Sequence, residues 1–175
     1  SICEDIWNDE EFWTRPLYEI DPIENLISNG ANIIINISSS PFAVGKHDKI
    51  RLRMLTHDAV KYKVPFIYVN QVGGNDDLVF DGNSTVINAQ GKLIAQAAAF
   101  EEDLMVVDLE NPAVQAQPRV YTPVETFHKA LLVGLRDYVK KCGFKKVVIG
   151  LSGGIDSAVT AALAVQSLGN DNVVG

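Results

Sequence analysis

Six consecutive residues near the end of the chain have types and an order that suit phosphate binding. They are Ser152, Gly153, Gly154, Ile155, Asp156 and Ser157, between a short β-branched run and an Ala-rich stretch that predicts a helix. Where a strand, a glycine turn and a helix meet, the free N–H groups of the first helical turn and the positive end of the helix dipole point at one spot. The two glycines allow close approach of the backbone to an oxyanion, and the two serines add hydroxyl donors.

Two other kinds of loop have a similar order of residues. The Walker A loop places a Lys after its glycines, and no Lys follows Gly154, so that loop is excluded. An ordinary strand-to-helix turn, with Ser152 or Asp156 as the helix N-cap, also fits the pattern. The residues alone therefore leave a phosphate site and an ordinary turn as alternatives.

Cys3, at the other end of the chain, has a side chain that could act as a nucleophile. A lone Cys in an apolar segment is more often a small buried hydrophobic residue. The carboxylates of Glu4 and Asp5 beside it oppose formation of a thiolate. A nucleophilic Cys also needs a base and a cation, and no residue pair in the chain stands out as these. The residues alone favour a structural role for Cys3.

The composition limits the kind of protein. Hydrophobic residues make up 47% of the 175 residues, which is enough to bury a core. The formal net charge of −7 argues against a general nucleic-acid surface. No apolar run reaches the roughly 20 residues that span a bilayer. Two cysteines give no disulfide framework, which is typical of a cytoplasmic protein.

The two ends of the sequence are unusual for a complete protein. The chain begins Ser1-Ile2-Cys3, without Met, and ends in Val173-Val174-Gly175, which has the pattern of a strand that is just beginning. A further parallel strand should follow the preceding strand and helix, and we expect it to be missing from the sequence. We interpret the chain as a fragment of a longer protein.

Hydrophobic patterning predicts an α/β fold. β-branched runs predict buried strands, and a basic amphipathic pattern at residues 47–63 predicts the helix between two of them. This βαβ order indicates a sheet with helices packed on it, and a Gly turn at residues 90–91 predicts a hairpin. The other predicted elements are a helix at residues 23–29, strands at 31–37 and 65–72, hairpin strands at 85–89 and 92–97, and a strand at 104–109.

A proline-containing stretch divides the chain into two parts. Residues 111–123 contain three prolines and no periodic pattern, which predicts a linker. The next segment, 124–142, predicts a helix that ends at Gly143. Its apolar face is predicted to contain Phe127, Leu131, Leu135, Tyr138 and Cys142. We therefore predict one domain at residues 1–110, a linker at 111–123, and a second domain at 124–175.

Both chemical segments resemble known families. Residues 152–157 match the SGGxDS loop of ATP pyrophosphatases, which bind the phosphates of ATP and transfer AMP to a substrate oxygen. Residues 2–7 resemble the nucleophile segment of the nitrilase superfamily, carbon–nitrogen hydrolases with a Glu–Lys–Cys triad. This resemblance implies that Cys3 is the nucleophile. The triad Glu and Lys lie upstream of the Cys in that family and would fall before Ser1.

The two segments together resemble the family of glutamine-dependent NAD+ synthetases, as do residues 36–46, 68–84 and 130–138. The resemblance implies the C-terminal part of a nitrilase-like α-β-β-α sandwich, followed by the first βα unit of a Rossmann-like ATP-pyrophosphatase domain (adenine nucleotide alpha hydrolase-like). In that family Cys3 would release ammonia from glutamine. ATP would adenylylate the carboxylate of deamido-NAD+, and ammonia would displace AMP.

The resemblance also implies roles for individual residues. Free glutamine is a zwitterion, so Glu4 would bind its ammonium, Lys46 its carboxylate, and Ser40 would add a neutral hydrogen bond. The backbone N–H of Glu4 would contribute to the oxyanion hole. Residues 152–157 would bind ATP, with Mg²⁺ at Asp156 to neutralise pyrophosphate. The alternatives are a solvated charge for Lys46, a structural hydrogen bond for Glu4, and a helix N-terminal acid for Asp156.

Further expectations concern partners and the remaining polar residues. The parent enzyme would be a homo-oligomer with small-molecule substrates, without nucleic-acid or membrane partners, and the fragment alone would be inactive. The Asp76-Asp77 pair is expected in a solvated turn, and His47, His57 and His128 are expected to be structural or surface residues. Two alternatives stay open: an amidotransferase with another acceptor, as in GMP or asparagine synthetases, and a non-catalytic binding fragment.

Overall fold

The structure is a computed structural model that describes residues 1–9, 12–15, 18–110, 119 and 121–175. The strands are β1 (Ile34–Ser38), β2 (Phe66–Asn70), β3 (Val72–Asn75), β4 (Leu78–Asp81), β5 (Thr85–Ile87), β6 (Leu93–Gln96), β7 (Val147–Val148) and β8 (Val173–Val174). The helices are α1 (Pro22–Ser28), α2 (Leu52–Tyr62), α3 (Pro123–Lys141) and α4 (Ile155–Leu168). A π-helical turn, His47–Arg51, leads into α2, and 3₁₀ turns cover Cys3–Trp7 and Asn170–Asn172.

The main sheet has four strands in the order β1-β2-β5-β6. β1 pairs with β2 in parallel, and α2 is the crossover between them, as the βαβ pattern predicted. β5 and β6 form the predicted antiparallel hairpin. Its Gly91 has φ +76°, and a Cβ there would lie 2.7 Å from Val60 Cγ2 of α2, so both the turn and the helix contact require Gly.

Helices α1 and α2 cover one face of this sheet. α2 presents a buried stripe at helical spacing, and Lys63, in the left-handed conformation, ends the helix. The core beneath the helices contains Ile6, Ile23, Ile34, Met54, Leu55, Ala59, Val64, Phe66, Tyr68 and Ile87. On the opposite face, Ile35, Ile37 and Val69 are exposed, whereas Val86 of β5 is buried.

The strand predicted at residues 104–109 is wrong. Leu104 and Val106 point into solvent, whereas Met105 and Val107 are half-buried, so the alternation that suggested a strand is present. An extended segment becomes a strand only when a neighbouring edge supplies N–H and C=O partners. None of the described residues pairs with this segment in a ladder.

The predicted helix at residues 124–142 is confirmed as α3, but its predicted apolar face is wrong. Thr122 and Glu125 form a capping box at its start, and Gly143, with φ +76°, follows its C-cap. The buried side chains are those of Ala130, Val133 and Val139. Of the predicted face, Leu135 is half-buried, and the exposed members are Phe127, Leu131, Tyr138 and Cys142.

The buried side of α3 carries small residues because it packs closely on the β3–β4 hairpin. A Cβ on Gly74 of β3 would lie only 3.1 Å from the Cα of Gly134 in α3. Large side chains on that side would push the two backbones apart. The predicted linker, residues 111–123, lies outside the described residues except for Arg119 and residues 121–123.

The last part of the chain is one βαβ unit. β7 leads through the glycine turn into α4, and β8 pairs in parallel with β7. This confirms the strand, turn and helix order predicted around residues 152–157. The expectation that the following parallel strand is missing is wrong, because Val173 and Val174 already pair with β7. α4 packs against α3, where the Ser167 hydroxyl donates to the Leu132 carbonyl at 3.1 Å. Among the described residues, no helix has the length and apolarity needed to cross a membrane.

Candidate active site

Cys3 lies at the carboxyl edge of the parallel strands. The Ser1 ammonium donates to the Ile35 carbonyl and Ile2 forms a parallel bridge with Ile37, so the first residues follow the edge of β1. Cys3 then begins a 3₁₀ turn with φ +44°, a strained conformation for a residue with a Cβ. Its side chain is half-buried. The chain therefore holds the thiol at the edge of the sheet where α/β proteins bind ligands.

Cys3 shares one cavity with the other residues predicted to bind glutamine. The cavity has a volume of about 370 Å³. Cys3 and Glu4 contribute one wall, and Ser40 and Lys46, which come after β1, contribute another. The remaining lining residues are Trp7, Trp13, Arg15, Ser39 and Pro41. The structure thus brings together four residues that were predicted separately along 44 positions of sequence.

Lys46 is half-buried in this cavity and is not a solvated loop charge. Its Nζ donates to the Pro41 carbonyl at 3.1 Å and lies 5.4 Å from the centre of a Trp7 ring. Burial lowers the pKa of Lys46, and the nearby Arg51 guanidinium lowers it further. The ammonium keeps N–H donors for an anion in the cavity.

Glu4 is exposed at the mouth of the cavity, beside Tyr18. Burial, followed by the Glu4 carboxylate, raises the pKa of Tyr18. The neighbouring acid, Asp5, has a structural role, since its carboxylate accepts from the backbone N–H of Ile2 at 2.6 Å. Glu4 therefore places a carboxylate beside the cavity, whereas Asp5 fixes the turn.

Ser40 is buried and is held by two side chains. Its N–H donates to Asn70 Oδ1 at 2.9 Å, and its carbonyl accepts from Arg51 Nη2 at 2.8 Å. Arg51 Nε also donates to the Ser40 hydroxyl oxygen at 3.3 Å. Because the hydroxyl oxygen is the acceptor in that bond, its O–H can donate elsewhere, and both the Tyr68 hydroxyl and the cavity lie beside it.

Arg51 is itself completely buried and forms an ion pair with Asp81 at the end of β4. Sequence reasoning missed this pair and treated Arg51 as one cation of a basic helix. The signal that could have found it is spacing, because Arg51 precedes Met54, Leu55 and Asp58 on the buried stripe of α2. A charged residue on such a stripe needs a buried partner.

The loop at residues 152–157 is exposed and has an internal set of hydrogen bonds. Gly153 has φ +83°, which favours glycine. The Ser152 and Ser157 hydroxyls lie 3.1 Å apart, and Gly154 N–H donates to the Ser152 hydroxyl oxygen at 3.3 Å. Helix α4 begins at Ile155 with Gly154 as its N-cap and without a side-chain cap. The alternative of Ser152 or Asp156 as the N-cap is therefore wrong.

Two family models match the chain in succession. The model for carbon-nitrogen hydrolase matches residues 18–119, which is more than half of the chain. The chain belongs to the carbon–nitrogen hydrolase family. The model for NAD synthase matches residues 127–175. The predicted fold class, a nitrilase-like domain followed by the start of a synthetase domain, is thereby confirmed.

Curated glutamine-dependent NAD(+) synthetases are similar to this carbon–nitrogen hydrolase chain. It is 47% identical over its whole length to glutamine-dependent NAD(+) synthetase from Synechocystis and 39% identical to that from Thermotoga maritima. It covers 32% and 35% of those proteins, so the chain spans about a third of the length of the curated relatives it matches.

Solved structures agree with this similarity. Glutamine-dependent NAD+ synthetase from Acinetobacter baumannii, in complex with ADP, matches 98% of the chain with a TM-score of 0.83 and 37% identity, and 31% of that protein is covered. Carbon-nitrogen hydrolase from Helicobacter pylori shares the fold, with a TM-score of 0.50 and 24% identity over 64% of this chain and 40% of that one.

A second polar cluster, formed by Asp9, His57 and Asp58, has ligand-type side chains. Potential ligand atoms of Asp9, His57 and Asp58 lie within 4.8 Å of one another. The Lys61 ammonium lies 2.9 Å from Asp9 Oδ2 and supplies the positive charge that a metal ion would otherwise bring to Asp9. Burial, followed by the nearby Asp9 carboxylate, raises the pKa of Asp58 to about 8. The cluster therefore favours two carboxyl groups sharing a proton over a metal site.

The remaining polar residues have the structural roles that the sequence predicted. Asp76 and Asp77 form the exposed turn between β3 and β4. His47 is buried beside Gln96, and His57 pairs with Asp9 at 3.4 Å. On the surface, His128 hydrogen bonds to Gln166 Oε1 at 2.8 Å.

Proposed function

We propose that the full-length protein carrying this chain makes NAD+ from deamido-NAD+, with glutamine as the nitrogen donor and ATP as the activating substrate. The cavity shared by Cys3, Glu4, Ser40 and Lys46 is the observation that carries the proposal. The similarity to glutamine-dependent NAD(+) synthetases and the two successive family models support it. Residues 1–110 form the glutaminase domain and residues 124–175 begin the synthetase domain in this proposal.

In the glutaminase reaction, Cys3 attacks the side-chain amide carbon of glutamine. The base and the cation that a nucleophilic Cys needs come from a part of the protein before Ser1. The new bond from the sulfur to the carbon forms a tetrahedral intermediate, and the Glu4 backbone N–H stabilises its oxyanion. Ammonia leaves with a proton from the base, and water hydrolyses the thioester to glutamate.

The cavity complements the two charges of free glutamine. The Lys46 ammonium binds the α-carboxylate through a charge-assisted hydrogen bond, and the Ser40 O–H donates a neutral bond. The Glu4 carboxylate binds the α-ammonium. Ser40 is buried and bonded to Arg51, so its position is fixed. It therefore orients the bound glutamine more rigidly than the longer side chains of Glu4 and Lys46.

In the synthetase reaction, residues 152–157 bind the phosphates of ATP. Gly153 brings the backbone close, and the N–H groups of the first turn of α4 face the phosphates. The Asp156 side chain fits a role as Mg²⁺ ligand, because it is exposed in this turn and no hydrogen bond or ion pair joins its carboxylate to a described residue. Bound Mg²⁺ would neutralise the charge of the pyrophosphate leaving group.

Product analysis with competing acceptors tests this function. The full-length protein is incubated with ATP, Mg²⁺, glutamine and one acceptor at a time: deamido-NAD+, xanthosine monophosphate or aspartate. We expect NAD+, AMP and pyrophosphate with deamido-NAD+ and no amidated product with the others. Turnover of xanthosine monophosphate or aspartate, without NAD+ formation, would overturn the proposal.

The proposal also places this protein in an assembly and a compartment. From the resemblance to glutamine-dependent NAD(+) synthetases, we expect a cytoplasmic homo-oligomer with a dimeric synthetase core and no nucleic-acid partner. Size-exclusion chromatography with light scattering on the full-length protein checks the oligomer. A monomer at micromolar concentration would contradict this expectation.

A further inference from the structure

The β3–β4 hairpin contacts helix α3 on one of its sides. The backbone N–H of Gly74 donates to Asp137 Oδ2 at 2.8 Å, and Lys141 Nζ donates to the Gly74 carbonyl at 2.6 Å. The Cα of Gly134 is so close to Gly74 that a Cβ on Gly74 would lie 3.1 Å from it. Two side-chain bonds and a close backbone contact thus fix the hairpin on the first helix of the second domain.

The same hairpin contacts the wall of the Cys3 cavity on its other side. The Val79 carbonyl of β4 accepts from the Phe42 N–H at 2.7 Å, next to the lining residue Pro41. Asp81, at the end of β4, binds Arg51 Nη1 through both carboxylate oxygens. The hairpin therefore contacts the cavity wall directly at Phe42 and indirectly through Arg51, which binds Ser40 and Pro41.

Arg51 holds the backbone between Ser40 and Pro41. Its Nη2 donates to the carbonyls of both residues, at 2.8 and 3.1 Å. The Pro41 carbonyl also accepts from Lys46 Nζ, so the ammonium position depends on the same peptide. The guanidinium thus holds both carbonyls and the Ser40 hydroxyl oxygen, and the Lys46 ammonium shares the Pro41 carbonyl with it.

A second series of hydrogen bonds joins Asp81 to the segment before α3. Asn83 Nδ2 donates to Asp81 Oδ2 at 2.9 Å, and Gln96 Nε2 donates to Asn83 Oδ1 at 3.1 Å. The Arg119 N–H donates to Gln96 Oε1 at 3.0 Å. Asp81 is thus connected to α3 through the hairpin, and to the segment before α3 through Arg119.

We infer that Arg51 and Asp81 are positioning residues that make the glutamine site depend on how α3 sits on the β3–β4 hairpin. The inference rests on the proposed function and deepens it. Neither residue lines the cavity, and both act through Ser40, Pro41 and Lys46. A shift of α3 moves the hairpin, and Arg51 transmits that shift because its Nη1 contacts both Asp81 oxygens while its Nη2 holds the Ser40 and Pro41 carbonyls.

Kinetics of the full-length protein with two nitrogen donors test this inference. Arg51→Lys keeps the charge but cannot make the forked contacts to Asp81 and both carbonyls. Gly74→Ala separates the hairpin from α3 at a distance from the cavity. Each variant is assayed for NAD+ formation with glutamine and with ammonium, and ammonium-dependent activity reports whether the protein is folded. Arg53→Lys and Asp77→Ala, both exposed, are the matched controls.

We expect Arg51→Lys to raise KM for glutamine by about tenfold or more, with ammonium-dependent kcat within about twofold of wild type. Gly74→Ala raises KM for glutamine in the same direction. In the double variant, the two effects on KM are non-additive, because both act on one set of contacts. The two controls leave KM for glutamine unchanged.

Two results would overturn the inference. In one, Arg51→Lys and Gly74→Ala retain the wild-type KM for glutamine while the wild type makes NAD+ from either donor. In the other, the two effects are fully additive. Should Arg51→Lys lose ammonium-dependent activity through misfolding, Asp137→Asn, which weakens the Gly74 contact without touching the cavity, decides the same question. A wild-type protein that makes no NAD+ from either donor refutes the proposed function itself.

Discussion

Arg51 donates two hydrogen bonds from Nη1 to the two carboxylate oxygens of Asp81, at 2.7 and 2.8 Å, and both side chains are buried. Arg51 lies beside the wall of the Cys3 cavity, and Asp81 belongs to the β3–β4 hairpin, which contacts α3. Burying two charges costs solvation free energy, and the attraction between them offsets that cost only when further hydrogen bonds satisfy the remaining donors and acceptors. Ser40, Pro41 and Asn83 supply the additional hydrogen bonds.

The first prediction concerns stability. Asp81→Ala leaves the Arg51 guanidinium buried without its counter-ion, and we expect a loss of about 3–5 kcal/mol in the free energy of unfolding. Asp77→Ala, in the exposed turn of the same hairpin, should change stability by less than about 0.5 kcal/mol. Urea denaturation of the two variants measures the difference. Equal free energies of unfolding for the two variants would show that the buried ion pair does not stabilise the fold.

A second prediction concerns binding of glutamine by Lys46. Lys46→Gln removes the charge-assisted bond to the α-carboxylate, and we expect KM for glutamine to rise about 10- to 100-fold. Activity with ammonium should stay near wild type, because the cavity is not used. Lys49→Gln, an exposed lysine three residues away, is the control. An unchanged KM in Lys46→Gln would show that the Lys46 ammonium does not bind glutamine and only stabilises the loop at Pro41.

A third prediction separates two roles for Asp156. As a Mg²⁺ ligand, Asp156→Asn should lower NAD+ formation about 10-fold or more with either nitrogen donor, and higher Mg²⁺ should restore part of it. Glutamine hydrolysis at Cys3 should continue. Asp171→Asn, an exposed acid in the 3₁₀ turn Asn170–Asn172, is the control. Wild-type activity in Asp156→Asn would leave only its role as a helix N-terminal acid.

A fourth prediction concerns stability and pH. The pKa of Asp58 is raised to about 8 by burial and by Asp9, so the folded state binds a proton that the unfolded state releases near pH 4. This contribution to stability is complete below pH 4 and is lost as the pH rises toward 8. Asp58→Asn, which is neutral at every pH, should have a flatter stability profile between pH 4 and 8. Parallel profiles from urea denaturation would contradict this.

The sequence predicts the elements whose signals are local. β1 and β2 follow from β-branched runs, the hairpin of β5 and β6 from Gly91, and the β7–α4 junction from Gly153 and Gly154. The identity of the Cys3 cavity came from resemblance, since the residues alone favoured a buried thiol. Its members were found because each belongs to a short recognisable segment.

The remaining features depend on contacts between distant segments. The Arg51–Asp81 pair spans 30 positions, and neither residue has a neighbour that identifies its partner. The packed face of α3 was mispredicted because the large apolar residues were expected inside, whereas close approach to Gly74 selects small ones. The extended segment at residues 104–109 has the strand pattern but no paired edge among the described residues.

The central claim is that Cys3 releases the ammonia that the second domain uses, and one variant tests it most directly. In the full-length protein, Cys3→Ala should lower glutamine-dependent NAD+ formation by about 10³-fold or more, with ammonium-dependent formation within about twofold of wild type. Cys142→Ala, which removes the exposed cysteine at the end of α3, should retain both activities. Glutamine-dependent NAD+ formation that persists in Cys3→Ala would contradict the account.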